Sequence, residues 1–154
     1  MSMAYDVQVQ QISEARPLAV VKRRARGAEL SRVVVECCGL VWNALKAAGV
    51  KGAGRHVAVY FDDVVNLEVG VEIDSPFSGA GDVLASVLPV GTVASTVHFG
   101  PYQKLVEAHA AVKVWCAKNG YELSGVRWEI YGHWVEEWNK DASKIRTDVF
   151  WLVK

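Results

Sequence analysis

The chain contains an internal repeat. Gly49, Gly54 and Tyr60 are separated by five and six residues, and so are Gly120, Gly125 and Tyr131, so the second set follows the first at an offset of 71 positions. A repeat of this kind constrains the fold more than composition does, because what the first copy builds the second must build again. Each set follows a helical pattern. "ELSRVVVECCGLVWNALKAAG" places Leu30, Val33, Val34, Cys37, Val41, Leu45 and Ala48 on one face, and "YQKLVEAHAAVKVWCAKNG" repeats this with Leu105, Val112 and Trp115. The second helix opens at Gly100-Pro101, where proline fits the first helical position, and both helices end at a glycine suited to a left-handed C-cap.

Strand patterns surround both helices. "DVQVQQI" and "LAVVKRR" precede the first, joined through Pro17; "DVLASVL" and "TVASTVHF" precede the second, joined through Pro89 and Gly91. Each pair reads as a hairpin. "HVAVYF" with "NLEVGVEI" follows the first helix, and "VRWEIY" with "IRTDVFWLV" follows the second. The predicted class is α+β: strand-strand-helix-strand-strand twice, repeat one over about 5–73 and repeat two over about 83–154, within one domain spanning 1–154. The turn-rich segment 74–82, "DSPFSGAGD", joins the repeats. Two helices cover one face of an eight-stranded, pseudo-twofold antiparallel sheet, so the other face is expected to be solvated or folded into a central groove that takes a ligand.

Charge and cysteines narrow the function. Seventeen Lys and Arg balance seventeen Asp and Glu, which leaves no basic excess for a phosphate backbone, so no direct nucleic-acid partner is expected. The N-terminus "MSMAYDVQVQQ" lacks a signal pattern, and no apolar run reaches the roughly 18 residues of a membrane span. A cytoplasmic protein with no membrane association is the expectation. Cys37, Cys38 and Cys116 fit neither a disulfide framework nor a zinc site and are expected to be reduced and mostly buried. His98 and His109 have no cysteine or acid at ligand spacing, so no metal is expected, and the glycines form no phosphate-binding motif. No cofactor is implied.

One carboxylate breaks the repeat. In "WEIYGHW", alternation puts Val126, Trp128 and Ile130 on one face, expected to pack on the second helix, and Arg127, Glu129 and Tyr131 on the other, expected to look into the groove. Subtracting 71 maps Glu129 and Tyr131 onto Ala58 and Tyr60, so the first half offers the tyrosine without the acid. Trp134 and Trp138, Phe150 and Trp151, and Tyr102 lie close in sequence; of Phe150 and Trp151, either one lines the groove. An acid among rings suits a flat lipophilic cation, the rings giving cation–π attraction and the carboxylate the counter-charge. By strand position alone, Glu129 reads instead as an exposed acid paired with Arg127, and Trp134 and Trp138 read equally as pocket mouth or surface clamp.

At these residues the chain resembles the GyrI-like family, the effector-binding domain of AraC-type and MerR-type multidrug regulators. The resemblance is carried by His98, Gly100, Pro101 and Tyr102 in "HFGPY", by Trp115, Gly120 and Tyr121 closing the second helix, by Glu129 and Tyr131, and by "VAVYFDD" and "LEVGVEI". It implies a duplicated α+β fold with a central pocket for lipophilic, often cationic, aromatic molecules. Its buried charge partner falls on Glu129. Three functions follow: binding such cations for sensing or sequestration, hydrolysis of reactive electrophilic natural products with Glu129 and Tyr131 as catalytic groups, or interaction with gyrase or a separate regulator. No DNA-binding domain precedes the module in this sequence, so a complete transcription regulator is not expected.

Overall fold

The structure is a computed structural model that describes residues 5–25, 29–50, 53–61, 66–74, 77, 79 and 81–154. Gly52, the Asp62 and Asp63 that close the "VAVYFDD" motif, residues 75, 76, 78 and 80 of the 74–82 joint and the side chain of Leu30 lie outside the described residues. The repeated order is present: β1 (Gln8–Ile12), β2 (Pro17–Arg24), α1 (Leu30–Ala47), β3 (His56–Tyr60) and β4 (Asn66–Glu72), then β5 (Leu84–Val87), β6 (Gly91–Phe99), α2 (Leu105–Lys118), β7 (Leu123–Tyr131) and β8 (Arg146–Val153). A four-residue helix, α3 (Glu137–Lys140), lies between β7 and β8.

The chain forms two compact units, one of residues Glu14–Pro89 and the other of Met1–Ser13 with Val90–Lys154. In the Glu14–Pro89 unit the antiparallel strand order is β3-β4-β2-β5; in the other it is β1-β6-β8-β7. The expected hairpins do not form, since β1 pairs with β6 and β5 pairs with β2. The turn chemistry explains this. A tight hairpin needs residues that accept positive φ, and Ser13-Glu14-Ala15-Arg16 offers none. After β5, the Leu88 amide donates to the Arg16 carbonyl at 3.0 Å, tying the chain beside β2 before Pro89. Each spatial unit therefore takes its outer strand from the other sequence repeat.

The helices form where the apolar period placed them. In α1 the buried stripe is Cys37, Val41 and Leu45, and α1 packs on β2 and β4. In α2 it is Leu105, Ala108, Val112 and Cys116, and α2 packs on β6 and β8. Each fully buried Val or Leu contributes roughly 1.5–3 kcal/mol, more than single-residue helix propensity supplies. Gly49 and Gly120 follow the helices at φ +69° and +77°, the left-handed turn expected of them. Pro101 stands one step earlier than expected, extended at φ −60° and ψ 149° before a 3-10 turn over Tyr102–Lys104, and α2 begins at Leu105. No helix among the described residues is long and apolar enough to cross a membrane.

All three cysteines are free, Cys37 and Cys116 buried and Cys38 half-buried. Burial raises each thiol pKa, that of Cys38 to about 11 from 9.0, with Cys37 adding to the shift. A thiol two pH units above its free value is about 100-fold poorer in thiolate at neutral pH, so Cys38 should react with maleimide about 100-fold more slowly in the native chain than in urea. Equal rates would contradict this. The sign for stability follows: a thiol whose folded pKa is raised contributes stability that is complete below about pH 9 and is lost as pH rises through about 11.

Candidate functional site

The site forms where β7, β8 and α2 meet. In β7–β8 pairing, Arg127 lies opposite Trp151, Glu129 opposite Val149 and Tyr131 opposite Thr147, so these six share a face; Trp128 and Phe150 pair on the other. The first face is the one against α2, because Val149 and Trp151 pack with Leu105, Ala108, Val112 and Cys116, and Tyr131 packs against the same cluster. This reverses the expected facing. Trp128, 1% exposed, stacks on Phe150 at 5.4 Å on the side away from α2, and Glu129 and Tyr131 look toward the helix. A carboxylate is tolerated there because the helix and the strand supply donors.

Those donors are well defined. The Tyr131 hydroxyl donates to Glu129 Oε1 at 2.5 Å, and His109 Nε2 lies 2.6 Å from Glu129 Oε2. The other side of the imidazole sets its tautomer. Trp151 Nε1 lies 2.9 Å from His109 Nδ1, and an indole N–H only donates, so Nδ1 accepts and Nε2 carries the proton that points at the carboxylate. Replacing Trp151 by Phe keeps a ring and removes the donor. The expected cost is about 1 kcal/mol in denaturant unfolding, with the imidazole nitrogen NMR signals losing the pure Nε2–H pattern; unchanged signals would mean that the indole does not set the tautomer.

Glu129 is 7% exposed, and two other glutamates are buried as well. Both belong to the Glu14–Pro89 unit and both have cationic partners: Glu72 is bridged by Arg16 at 3.1 Å and Arg55 at 3.0 Å, and Glu68 faces Lys22 at 3.8 Å. Glu129 differs. Among the described residues its partners are a phenol and an imidazole, with no lysine or arginine on the carboxylate, so its charge is oriented but not neutralised by the chain.

The expected aromatic residues separate into groups. Tyr102 meets Tyr131 edge-on at 5.6 Å, which puts both rings beside Glu129. Trp151 is on the same face, but Lys113 Nζ and Arg127 Cζ each lie 5.4 Å from its ring centroid and its N–H is used on His109, so its part is to hold the imidazole. Phe150 faces the opposite side. Trp134, 51% exposed, packs edge-on against Trp138 at 5.4 Å and donates to Asn139 at 3.1 Å, so the pair braces its own loop. Tyr60, half-buried, ends β3 opposite Leu67 in the Glu14–Pro89 unit. Thr147, 0% exposed, has a hydroxyl with no hydrogen-bond partner among the described residues and lies opposite Tyr131.

His109 is the site residue that the strand-by-strand reading missed. Its signal was present in the helix pattern, since Leu105, His109, Val112 and Cys116 fall at i, i+4, i+7 and i+11, which puts an imidazole in an apolar stripe. Among the described residues no three His, Cys, Asp or Glu side chains cluster to hold a metal ion.

No family model matches the sequence, and no curated protein matches it. Solved structures do match. The C-terminal domain of EcmrR superposes with a TM-score of 0.79 at 18% identity, covering 99% of each chain. A hydrolase from Listeria innocua superposes with a TM-score of 0.65 at 10% identity, covering 97% of this chain and 92% of its own. SAV2435, solved bound to tetraphenylphosphonium, superposes with a TM-score of 0.58 at 12% identity, covering 99% of this chain and 94% of its own. At such identities the likeness speaks for the fold: the chain has the structure of the GyrI-like effector-binding domains of MerR-type and AraC-type regulators.

Proposed function

We propose that this chain is a binding module for lipophilic aromatic cations, with Glu129 as the counter-charge. The observation that carries the reading is the buried carboxylate whose partners, Tyr131 and His109, orient it without cancelling its charge. A large organic cation without N–H groups does not compete for those two hydrogen bonds. It needs a fixed negative charge and the faces of rings, which Tyr102 and Tyr131 supply at the edge of the site. The binding of tetraphenylphosphonium by SAV2435, a protein of the same fold, supports the choice of ligand class. Titration of the full chain with tetraphenylphosphonium, followed by tryptophan fluorescence, tests it: saturable quenching at one equivalent is expected, and no binding up to millimolar concentration would overturn the proposal.

A second reading is favoured by the same carboxylate and by the Listeria innocua hydrolase of like fold. Glu129 would take a proton from water as its oxygen attacks an electrophilic carbon, and the Tyr131 hydroxyl would protonate the leaving atom. His109 is unsuited to be the base, because Nδ1 is occupied by Trp151 and Nε2 carries its proton toward Glu129. On this reading Glu129→Gln abolishes turnover of reactive electrophilic natural products. Mass spectrometry of wild-type mixtures showing no product above background would count against it.

A further inference from the structure

The Glu14–Pro89 unit has a cavity of its own. It measures about 590 Å³, within the usual range for small-molecule sites, and is lined by Lys22, Arg23, Arg24, Phe61, Asn66, Leu67 and Glu68. The fold accounts for its position. β5 pairs with β2 only over Pro17–Val20, so the "KRR" end of β2 runs on beyond its partner, while on the other side Lys22, Arg23 and Arg24 lie opposite Glu68, Leu67 and Asn66 of β4. Phe61 follows β3 and its amide donates to the Asn66 carbonyl at 3.0 Å, which fixes the chain beside the cavity.

Its charge has a definite sign. Lys22 and Arg24, alternate residues of β2, share the face of Glu68, and among the described residues that carboxylate is engaged: Ser86 donates to Glu68 Oε1 at 2.6 Å and Lys22 Nζ lies 3.8 Å from Oε2. Arg23 Nη1 donates to the Lys22 carbonyl at 2.9 Å and its charge acts on Cys37 of α1, whereas Arg24 is in no ion pair among the described residues. The walls also include an apolar part, with Phe61 43% exposed and Leu67 buried. The Arg24 guanidinium, with Lys22 on the same face and an exposed phenyl ring beside it, matches a small aromatic anion, whose carboxylate, sulfonate or phosphate takes charge-assisted bonds while its ring lies on Phe61.

We infer that this cavity is a second ligand site, selective for small aromatic acids and separate in its residues from the Glu129 site. Calorimetric titration of the full chain with 1-naphthoate and with uncharged 1-naphthamide tests it. Naphthoate should bind at least about tenfold more tightly than the amide, the ratio expected of charge-assisted contacts. Arg24→Gln, at an exposed position where folding is undisturbed, should weaken naphthoate about tenfold and leave the amide unchanged. Glu68→Gln removes the opposing charge and should strengthen naphthoate severalfold. Glu129→Gln should leave its affinity unaltered. Equal affinity for acid and amide, no effect of Arg24→Gln, or loss of naphthoate binding in Glu129→Gln would each overturn the inference.

Discussion

Replacing Gly70 by alanine is expected to destabilise the protein by at least about 3 kcal/mol. Gly70 lies in β4 opposite Val20 of β2, and a Cβ built on it would sit 1.8 Å from the Ala19 carbonyl oxygen and 2.7 Å from the carbon. Both are backbone atoms, so no side-chain rotation gives relief. The β2 and β4 strands must separate, which costs ladder hydrogen bonds and the packing of Val20, Val21 and Val69, all 0% exposed. Against this, alanine gains only about 0.5–1 kcal/mol from the lower entropy of its unfolded chain, so the clash wins. For a chain of this length the loss lowers the melting temperature by roughly 6–12 °C or more. A variant that melts within about 2 °C of wild type would show that β2 and β4 do not approach so closely.

Glu129→Gln is expected to weaken tetraphenylphosphonium binding by about 10- to 100-fold while leaving the fold intact. Interactions with a charged partner are worth roughly 1.5–3 kcal/mol, and 1.4 kcal/mol is a factor of ten. Glutamine fits the same space. Its oxygen accepts from His109 Nε2 and its amide group donates to the Tyr131 hydroxyl, which accepts as readily as it donates, so both contacts of the carboxylate have a neutral counterpart. The loss therefore reports charge. Far-UV circular dichroism and melting should change little, and calorimetric titration supplies the affinity.

Much of this architecture was legible in the sequence because it is local. The apolar stripes of α1 and α2 and the glycines at 49 and 120 are set by residues within a few turns of one another, and the structure keeps them. Pairing partners were not legible. β1 joins β6 some 80 residues away, and nothing within "DVQVQQI" distinguishes that partner from β2. The facing of β7 failed for a related reason. Both alternating sets of the strand become buried on one side or the other, so hydrophobicity alone did not choose, and the deciding group was His109 on a different element, the donor that makes Glu129 acceptable against the helix. The same register settles the last strand: Trp151 shares Glu129's face and Phe150 does not.

The central claim is that the Glu129 carboxylate selects charge. The most direct test is the ratio of affinities for a quaternary ammonium dye and its uncharged analogue of equal size and ring content, measured by tryptophan quenching on wild type and on Glu129→Gln. The account predicts a ratio of about ten or more in favour of the cation in wild type. That ratio should collapse toward one in the variant, through a weaker cation affinity and an unchanged affinity for the neutral dye. Equal affinity for the two dyes in wild type, or a preference that persists undiminished in Glu129→Gln, would contradict it.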